Sequence, residues 1–145
     1  MCLYVNKEAS AKLFQKFKNR EYIICYKVVN AENGIITSSI YDYCWKKGFN
    51  KSKSTVPPYY KHQMKNKYLK KRSRYYNCDG RINVGIHVYT RRPDDSEDRI
   101  MAIKCYKEDF IAADNSYEAV FKQVELTPRQ YNKLLKNAPE NPPPF

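Results

Sequence analysis

The pattern of apolar and polar positions predicts one amphipathic helix near each end of the chain. In residues 8–18 the apolar side chains recur at the spacing of a single helix face. They are Ala9, Leu13, Phe14 and Phe17. In residues 127–136, Thr127 followed by Pro128 forms a strong helix start signal. We expect that second helix to run to about Lys136 and to bury Tyr131, Leu134 and Leu135.

Strand patterns fill much of the remaining chain. Residues 21–30 are rich in β-branched and aromatic side chains, and Asn33-Gly34 is a strong hairpin turn. Residues 35–39 therefore read as the returning strand. The chain opening at residues 1–5 predicts a short edge strand.

A second hairpin is predicted over residues 84–106. Residues 84–90 alternate, with Val84, Ile86 and Val88 expected on the core face and His87 on the opposite face. A charged turn then leads to the strand at 99–106, and residues 117–126 read as one further strand. These patterns predict an α+β fold with an antiparallel sheet of five to seven strands, a helix near each end and a long basic insertion.

The charge of the chain is concentrated in that insertion, residues 45–76, which we call the basic segment. It holds 11 of the 27 Lys and Arg residues, seven aromatic residues and no Asp or Glu. The rest of the chain holds 16 basic against 15 acidic residues, so nearly all of the net charge of +12 belongs to the insertion. Folding gains nothing from like charges that repel one another, so we expect this segment to bind something negative.

Nucleic acid is the first candidate partner, because lysines and arginines displace phosphate counterions and aromatic rings stack on unpaired bases. The predicted binding residues are Lys46, Lys47, Lys51, Lys53, Lys65, Lys67, Lys70, Lys71, Arg72, Arg74, Tyr75 and Tyr76. The other rings available for stacking are Trp45, Phe49, Tyr59, Tyr60 and Tyr68. An acidic protein surface is the alternative partner, and a merely solvated charged loop is the third reading. Pro57-Pro58 excludes a helix there, and a helix is predicted over residues 59–76.

A separate ligand site is predicted around His87, Tyr89 and Arg91, where an imidazole, a phenol and a guanidinium would suit a phosphate or a nucleotide. A lone histidine in a strand is also commonly structural. His62 lies among lysines that would lower its pKa, and no second ligand at metal-binding spacing accompanies it. No catalytic motif and no phosphate-binding glycine loop occurs, so neither a catalytic residue nor a cofactor or metal is predicted.

The five cysteines are widely spaced without a close pair, which favours free thiols over disulfides or a zinc site. Cys25 and Cys105 lie in apolar runs and are expected to be small buried residues. No segment is apolar enough to predict a membrane span, and no secretory leader is evident. These features predict an intracellular protein of the cytoplasm or nucleus.

Several stretches resemble a loose group of short uncharacterised proteins from phages and large DNA viruses. They are Met-Cys-Leu at 1–3, Ile-Cys-Tyr-Lys-Val at 24–28, Gly-Ile-His-Val at 85–88 and Asp-Phe-Ile-Ala-Ala-Asp at 109–114. The resemblance implies a viral or phage origin and a compact sheet fold, and it carries no activity.

The predicted organisation is a single domain over 1–138, followed by a proline-rich tail at 139–145. An extended proline segment is suited to a neighbour's groove. The alternative to nucleic-acid binding is therefore a minor virion or assembly protein that cements larger subunits through the basic segment and the tail. A small nucleotide-binding protein or enzyme built around His87 is the second alternative.

Overall fold

Ten strands and three α-helices make up the described part of the structure, a computed structural model covering residues 3–38, 43–70 and 78–136. The helices are α1 (Lys7–Phe17), α2 (Tyr59–His62) and α3 (Pro128–Lys136). The strands are β1 (Leu3–Val5), β2 (Tyr22–Glu32), β3 (Ile35–Ser38), β4 (Gly48–Lys51), β5 (Gly80–Ile82), β6 (Ile86–Tyr89), β7 (Ile100–Tyr106), β8 (Phe110–Ala113), β9 (Glu118–Phe121) and β10 (Gln123–Leu126).

Eight of these strands form one antiparallel sheet. Its order is β4-β10-β7-β2-β6-β9-β8, with β3 paired to β2 beside this path, while β1 and β5 form a separate two-stranded sheet. The predicted α+β fold with an antiparallel sheet is confirmed, although the strand count is higher than the expected five to seven. The additional strands include β4, inside the basic segment, and the two halves of the single strand predicted over 117–126.

The large sheet curls strongly. In the sheet order β10 and β9 are four strand positions apart, which in a flat sheet would separate them by about 19 Å. Only Lys122 lies between them along the chain, so Phe121 and Gln123 are within about 7 Å of each other. The sheet therefore has to close towards itself, with its core side chains on the inside of the curl.

Both predicted helices are present and are capped by their own sequence signals. Oδ1 of Asn6 accepts a hydrogen bond of 2.8 Å from the backbone N–H of Ala9 at the start of α1. Oγ1 of Thr127 accepts one of 3.3 Å from Gln130 at the start of α3. Phe17 of α1 packs against Phe110 and Phe121, and Leu134 of α3 is buried, which anchors both helices to the core.

The predicted β2–β3 hairpin is confirmed. Asn33 and Gly34 have φ angles of 52° and 81°, the left-handed conformation that such a two-residue turn requires. Cys25 and Cys105 are fully buried free thiols, as expected.

The predicted hairpin between residues 84–90 and 99–106 is wrong. Strand β2 lies between β6 and β7, and its Tyr26 pairs with Tyr89 on one side and with Ala102 on the other. The long charged segment that joins β6 to β7 therefore passes over an end of β2. Local alternation identified both strands correctly but carried no information about which strand would lie between them.

The basic segment folds partly into the body of the protein. Trp45, Val56, Tyr59 and Met64 are buried in the core, and β4 forms an edge of the large sheet. The helix predicted over 59–76 is wrong within the described residues, since α2 is a single turn that ends where Gln63 and Met64 adopt positive φ angles of 46° and 52°. The predicted residues at 71–76 and the tail at 139–145 lie outside the described residues.

Candidate nucleic-acid interface

One face of the large sheet is open to solvent across four neighbouring strands. Strands β4, β10, β7 and β2 alternate between buried residues and more exposed ones, as expected for an antiparallel sheet with one wet face. A register row crosses all four strands on that face. It consists of Phe49, Glu125, Lys104 and Ile24. Phe49 and Ile24 are 46% and 44% exposed, so the row presents apolar surface to solvent.

Three aromatic rings follow one another across the same face. The ring of Phe49 lies 5.8 Å from that of Tyr106, which lies 5.6 Å from that of Tyr22. The Nζ atom of Lys104 is 4.7 Å from the centre of the Tyr22 ring, a cation–π contact. We call Phe49, Tyr106 and Tyr22 the aromatic row.

A groove that begins at Tyr106 of the aromatic row meets a second groove at Tyr60, which is 50% exposed. The larger, of about 600 Å³, is lined by Tyr106 and by the cations Lys18, Arg20 and Lys107, with Glu21 and Glu108 as its acidic members. The smaller, of about 240 Å³, is lined by Lys51, Lys61 and Lys122, with Glu108 and Asp109. Six cations and three carboxylates therefore line the two grooves. Burial raises the pKa of Asp109, and the charge of Glu108 acts in the same direction, while Gln123, Lys122 and Lys51 oppose the rise.

The structure distributes the predicted lysines of the basic segment over several places. Lys51 lines the smaller groove, and the exposed Lys53 follows it along the chain. Lys46 and Lys47 precede β4, and the Nζ atom of Lys47 lies 5.3 Å from the centre of the Tyr131 ring of α3.

The remaining predicted cations lie beyond α2. Lys65 and Lys67 are exposed, and the Nζ atom of Lys67 is 5.0 Å from the centre of the Tyr68 ring. Lys70 is exposed and its backbone N–H bonds to the carbonyl of Arg81, which ties it to β5. Lys71, Arg72, Arg74, Tyr75 and Tyr76 lie outside the described residues.

Among the described residues the lysines of the basic segment form no close ion pair, although the charge of Lys51 acts on Asp109 and opposes the rise in its pKa. The ion pairs within the described ranges join Lys7 to Asp79, Lys12 to Glu8, Arg92 to Glu97 and Arg99 to Asp95. None of them includes a lysine of the basic segment. The segment is held to the body by its apolar side chains, and its charges remain available.

A buried asparagine fixes the turn that enters β4. Oδ1 of Asn50 accepts hydrogen bonds from the Tyr43 hydroxyl (2.9 Å) and the Lys46 backbone N–H (3.1 Å). Its Nδ2 donates to the carbonyls of Lys46 (2.9 Å) and Gly48 (3.2 Å). A side chain with no solvent exposure thus uses its full hydrogen-bonding capacity to place Lys46, Phe49 and Lys51.

The predicted stacking residues divide into two groups. Trp45 and Tyr59 are in the core and are not available to a base, and Tyr68 is half-buried against His62. Phe49 and Tyr60 are exposed. The sequence interpretation missed Tyr22, Lys104 and Tyr106. The signal that could have revealed Tyr22 is the run at 21–30, where apolar residues occupy both faces of one strand although only one face packs on the core.

The residues of the predicted ligand site around His87 are placed differently from the expectation. His87 is buried at 7% exposure, whereas Val84, assigned to the core face, is 37% exposed. His87 and the adjacent Val88 are both buried, so both faces of β6 are covered. Arg91 stacks its guanidinium 4.1 Å from the centre of the Tyr117 ring.

Other charged groups surround His87. The Nζ atom of the largely buried Lys27 donates a 2.8 Å hydrogen bond to the His87 carbonyl. Burial lowers the pKa of His87 to about 4, and Lys27 contributes in the same direction. Burial raises the pKa of Glu118 to about 7, together with a hydrogen bond to Asp114 and the charge of that residue, while Lys27 opposes the shift. Nε2 of His87 has no hydrogen-bond partner of acceptable geometry among the described residues, although the Val84 carbonyl is close enough to oppose the lowering of its pKa.

Comparison with known proteins adds no family: no family model, no curated protein and no solved structure matches this chain. The site is therefore interpreted from its own geometry. Within the described ranges, no helix is long and apolar enough to cross a membrane. In the same ranges, no three His, Cys, Asp or Glu side chains are placed to hold a metal ion.

Proposed function

We propose that this protein binds nucleic acid through the basic segment. The proposal rests on a difference in burial within that segment, between its apolar side chains and its lysines. Its apolar side chains, such as Trp45, Val56 and Met64, are buried, while Lys51, Lys53 and Lys61 are exposed and form no ion pair with a described carboxylate. The folded body therefore presents these cations on its surface.

A phosphate backbone is the partner that this arrangement suits. Cations spread over a surface of grooves can follow a chain of phosphates, and each contact releases a counterion. Exposed rings among the cations, here Phe49 and Tyr60, distinguish the surface from a simple charged loop because they add contacts to bases. An acidic protein surface would use the same lysines but would gain less from the rings.

Salt dependence tests the proposal. The probes are a mixed-sequence single-stranded oligonucleotide and its duplex, and the affinity is measured by fluorescence anisotropy between 50 and 300 mM salt. We expect log K to fall linearly with log salt. Replacing Lys51, Lys53 and Lys61 with Gln should reduce the slope by roughly two, because each lost phosphate contact removes about 0.7 to 0.9.

A charge-matched variant controls for net charge. Lys12, Lys133 and Lys136 are exposed on α1 and α3, away from the two grooves. Their replacement with Gln also removes three positive charges and should change the slope by much less. Equal slopes in the two variants, or no salt-dependent binding to either probe, would contradict the proposal. In the second case an acidic protein becomes the better candidate partner.

A further inference from the structure

The aromatic row lies on a part of the surface that the basic segment alone does not define. Phe49 comes from β4, Tyr106 from β7 and Tyr22 from β2, so the curled sheet brings together residues that are distant in sequence. Helix α1 buries Leu13 and Phe17 in the core and leaves this face open. The pairing of β4, β10, β7 and β2 does not depend on aromatic side chains at these solvent-facing positions.

The chemistry of the row suits unpaired bases. Exposed rings on a sheet provide stacking surfaces that do not depend on base identity, and a base-paired duplex hides the faces that would stack on them. The Nζ atom of Lys104 lies over the Tyr22 ring, and the groove that begins at Tyr106 and the one beyond Tyr60 hold further cations. The surface thus offers rings for bases and, in the adjoining grooves, cations for phosphates.

We infer that the open sheet face binds single-stranded nucleic acid, with bases stacked on Phe49, Tyr106 and Tyr22 and phosphates directed towards the grooves at Tyr60. This inference rests on the proposed nucleic-acid binding and adds that the strand is unpaired. An acidic protein partner would gain little from rings in this position, so the rings favour a single strand as the partner. Glu125, which lies in the same register row as Phe49, is an acidic residue on this face. Its Oε1 accepts a hydrogen bond from the Tyr106 hydroxyl.

The test separates ring stacking from charge. Phe49→Leu and Tyr106→Leu keep an apolar side chain but remove the ring, and Tyr106→Phe keeps the ring but loses the hydroxyl. Affinities are measured at several salt concentrations for an oligothymidine strand and for a mixed-sequence duplex of equal length. Tyr117→Leu is the matched control, because Tyr117 is an exposed ring on the loop between β8 and β9.

Phe49→Leu and Tyr106→Leu should each weaken binding to the single strand by roughly five- to a hundredfold. Duplex affinity and the salt slope should stay nearly constant, and Tyr106→Phe and Tyr117→Leu should bind like the parent. The inference is overturned if the leucine variants bind the single strand normally, or if they weaken both probes equally. Salt-dependent binding that is indifferent to the rings would leave the proposed function standing and remove only this inference, whereas the absence of any salt-dependent binding would remove both. Circular dichroism and thermal melts show whether each variant is folded.

Discussion

The hydroxyl of Tyr106 donates a hydrogen bond of 2.5 Å to Oε1 of Glu125, across the pair of strands β7 and β10. This hydrogen bond is the largest of the effects that raise the pKa of Tyr106 to about 12, since ionising the phenol would place two negative charges together. The Tyr106 ring lies between those of Phe49 and Tyr22. The same carboxylate, however, places a negative charge beside the surface where we expect phosphates to lie.

Replacing that carboxylate with a neutral amide should strengthen nucleic-acid binding. In Glu125→Gln the amide oxygen can still accept the Tyr106 hydrogen bond, so the ring keeps its place while one repulsive charge is removed. We expect a gain of several-fold in single-strand affinity at low salt that shrinks as salt is raised, because screening weakens exposed charges. Anisotropy titrations at 50 and 200 mM salt measure it. Glu8→Gln on α1 makes the same change in net charge away from the sheet face, and an equal gain in that variant would show that only net charge matters.

The turn entering β4 should be sensitive to the loss of one buried side chain. Asn50→Ala leaves the Lys46 N–H and two carbonyls without their partners, which should lower the free energy of unfolding by about 2 to 4 kcal/mol. Urea denaturation measures this change. Asn30→Ala, at an exposed position of β2, is the control and should cost less than about 1 kcal/mol. Similar losses in the two variants would mean that the Asn50 network does not stabilise the fold.

The elements that sequence patterns predicted well are those specified by neighbouring residues. Helix α1, the β2–β3 turn at Asn33 and the cap of α3 at Thr127 depend on contacts within a few residues, so periodicity and capping rules were sufficient. The pairing of β2 between β6 and β7 depends on residues more than 60 positions apart. No local pattern encodes such an order, and the hairpin prediction failed for that reason.

The candidate site shows the same division. The positive charge of the basic segment and the exposed rings of Phe49 and Tyr60 could be identified from composition. The partners of Phe49 could not, because Tyr106 and Tyr22 reach it only through the curl of the sheet. Tyr59 was misassigned because a tyrosine in a basic stretch suggests exposure, whereas its ring packs against Phe14 and Phe110. Burial of an amphipathic ring is decided by tertiary packing.

Two buried histidines should make the fold less stable in acid. Burial lowers the pKa of His87 to about 4 and also lowers the pKa of His62, where Lys65 and Lys67 contribute in the same direction and the Pro57 carbonyl opposes them. Nδ1 of His62 accepts a 2.7 Å hydrogen bond from the Met64 N–H, which requires that nitrogen to be unprotonated. The folded state therefore favours the neutral imidazoles. The contribution of the two histidines to the free energy of unfolding is complete above pH 6.5 and is lost as the pH falls through their lowered pKa values.

The expected loss for His87 is about 3 kcal/mol between pH 6.5 and 4, and His62 adds to it. Urea denaturation across this range measures the slope. His87→Gln and His62→Gln should each flatten it, even if they lower stability at pH 7. The slope is read within each variant, so a general loss of stability does not obscure the result. If neither variant has a flatter slope than the parent, the histidines are not responsible for any acid sensitivity.

Glu118 should act in the opposite direction. Its pKa of about 7 in the folded protein lies above the ordinary value of 4.5, so the folded state favours the protonated acid. Its stabilising contribution is complete below pH 4.5 and is lost as the pH rises through 7. Because the side chain is only partly buried, solvent screening reduces the effect to about 1 kcal/mol.

Glu118→Gln, which is neutral at every pH, should therefore unfold at higher urea than the parent at pH 8 and at nearly the same urea at pH 5. Glu97→Gln, at an exposed position, should show no such difference between the two pH values. A Glu118→Gln variant that is less stable than the parent at pH 8 would instead mean that the ionised carboxylate, through Lys27, stabilises the fold.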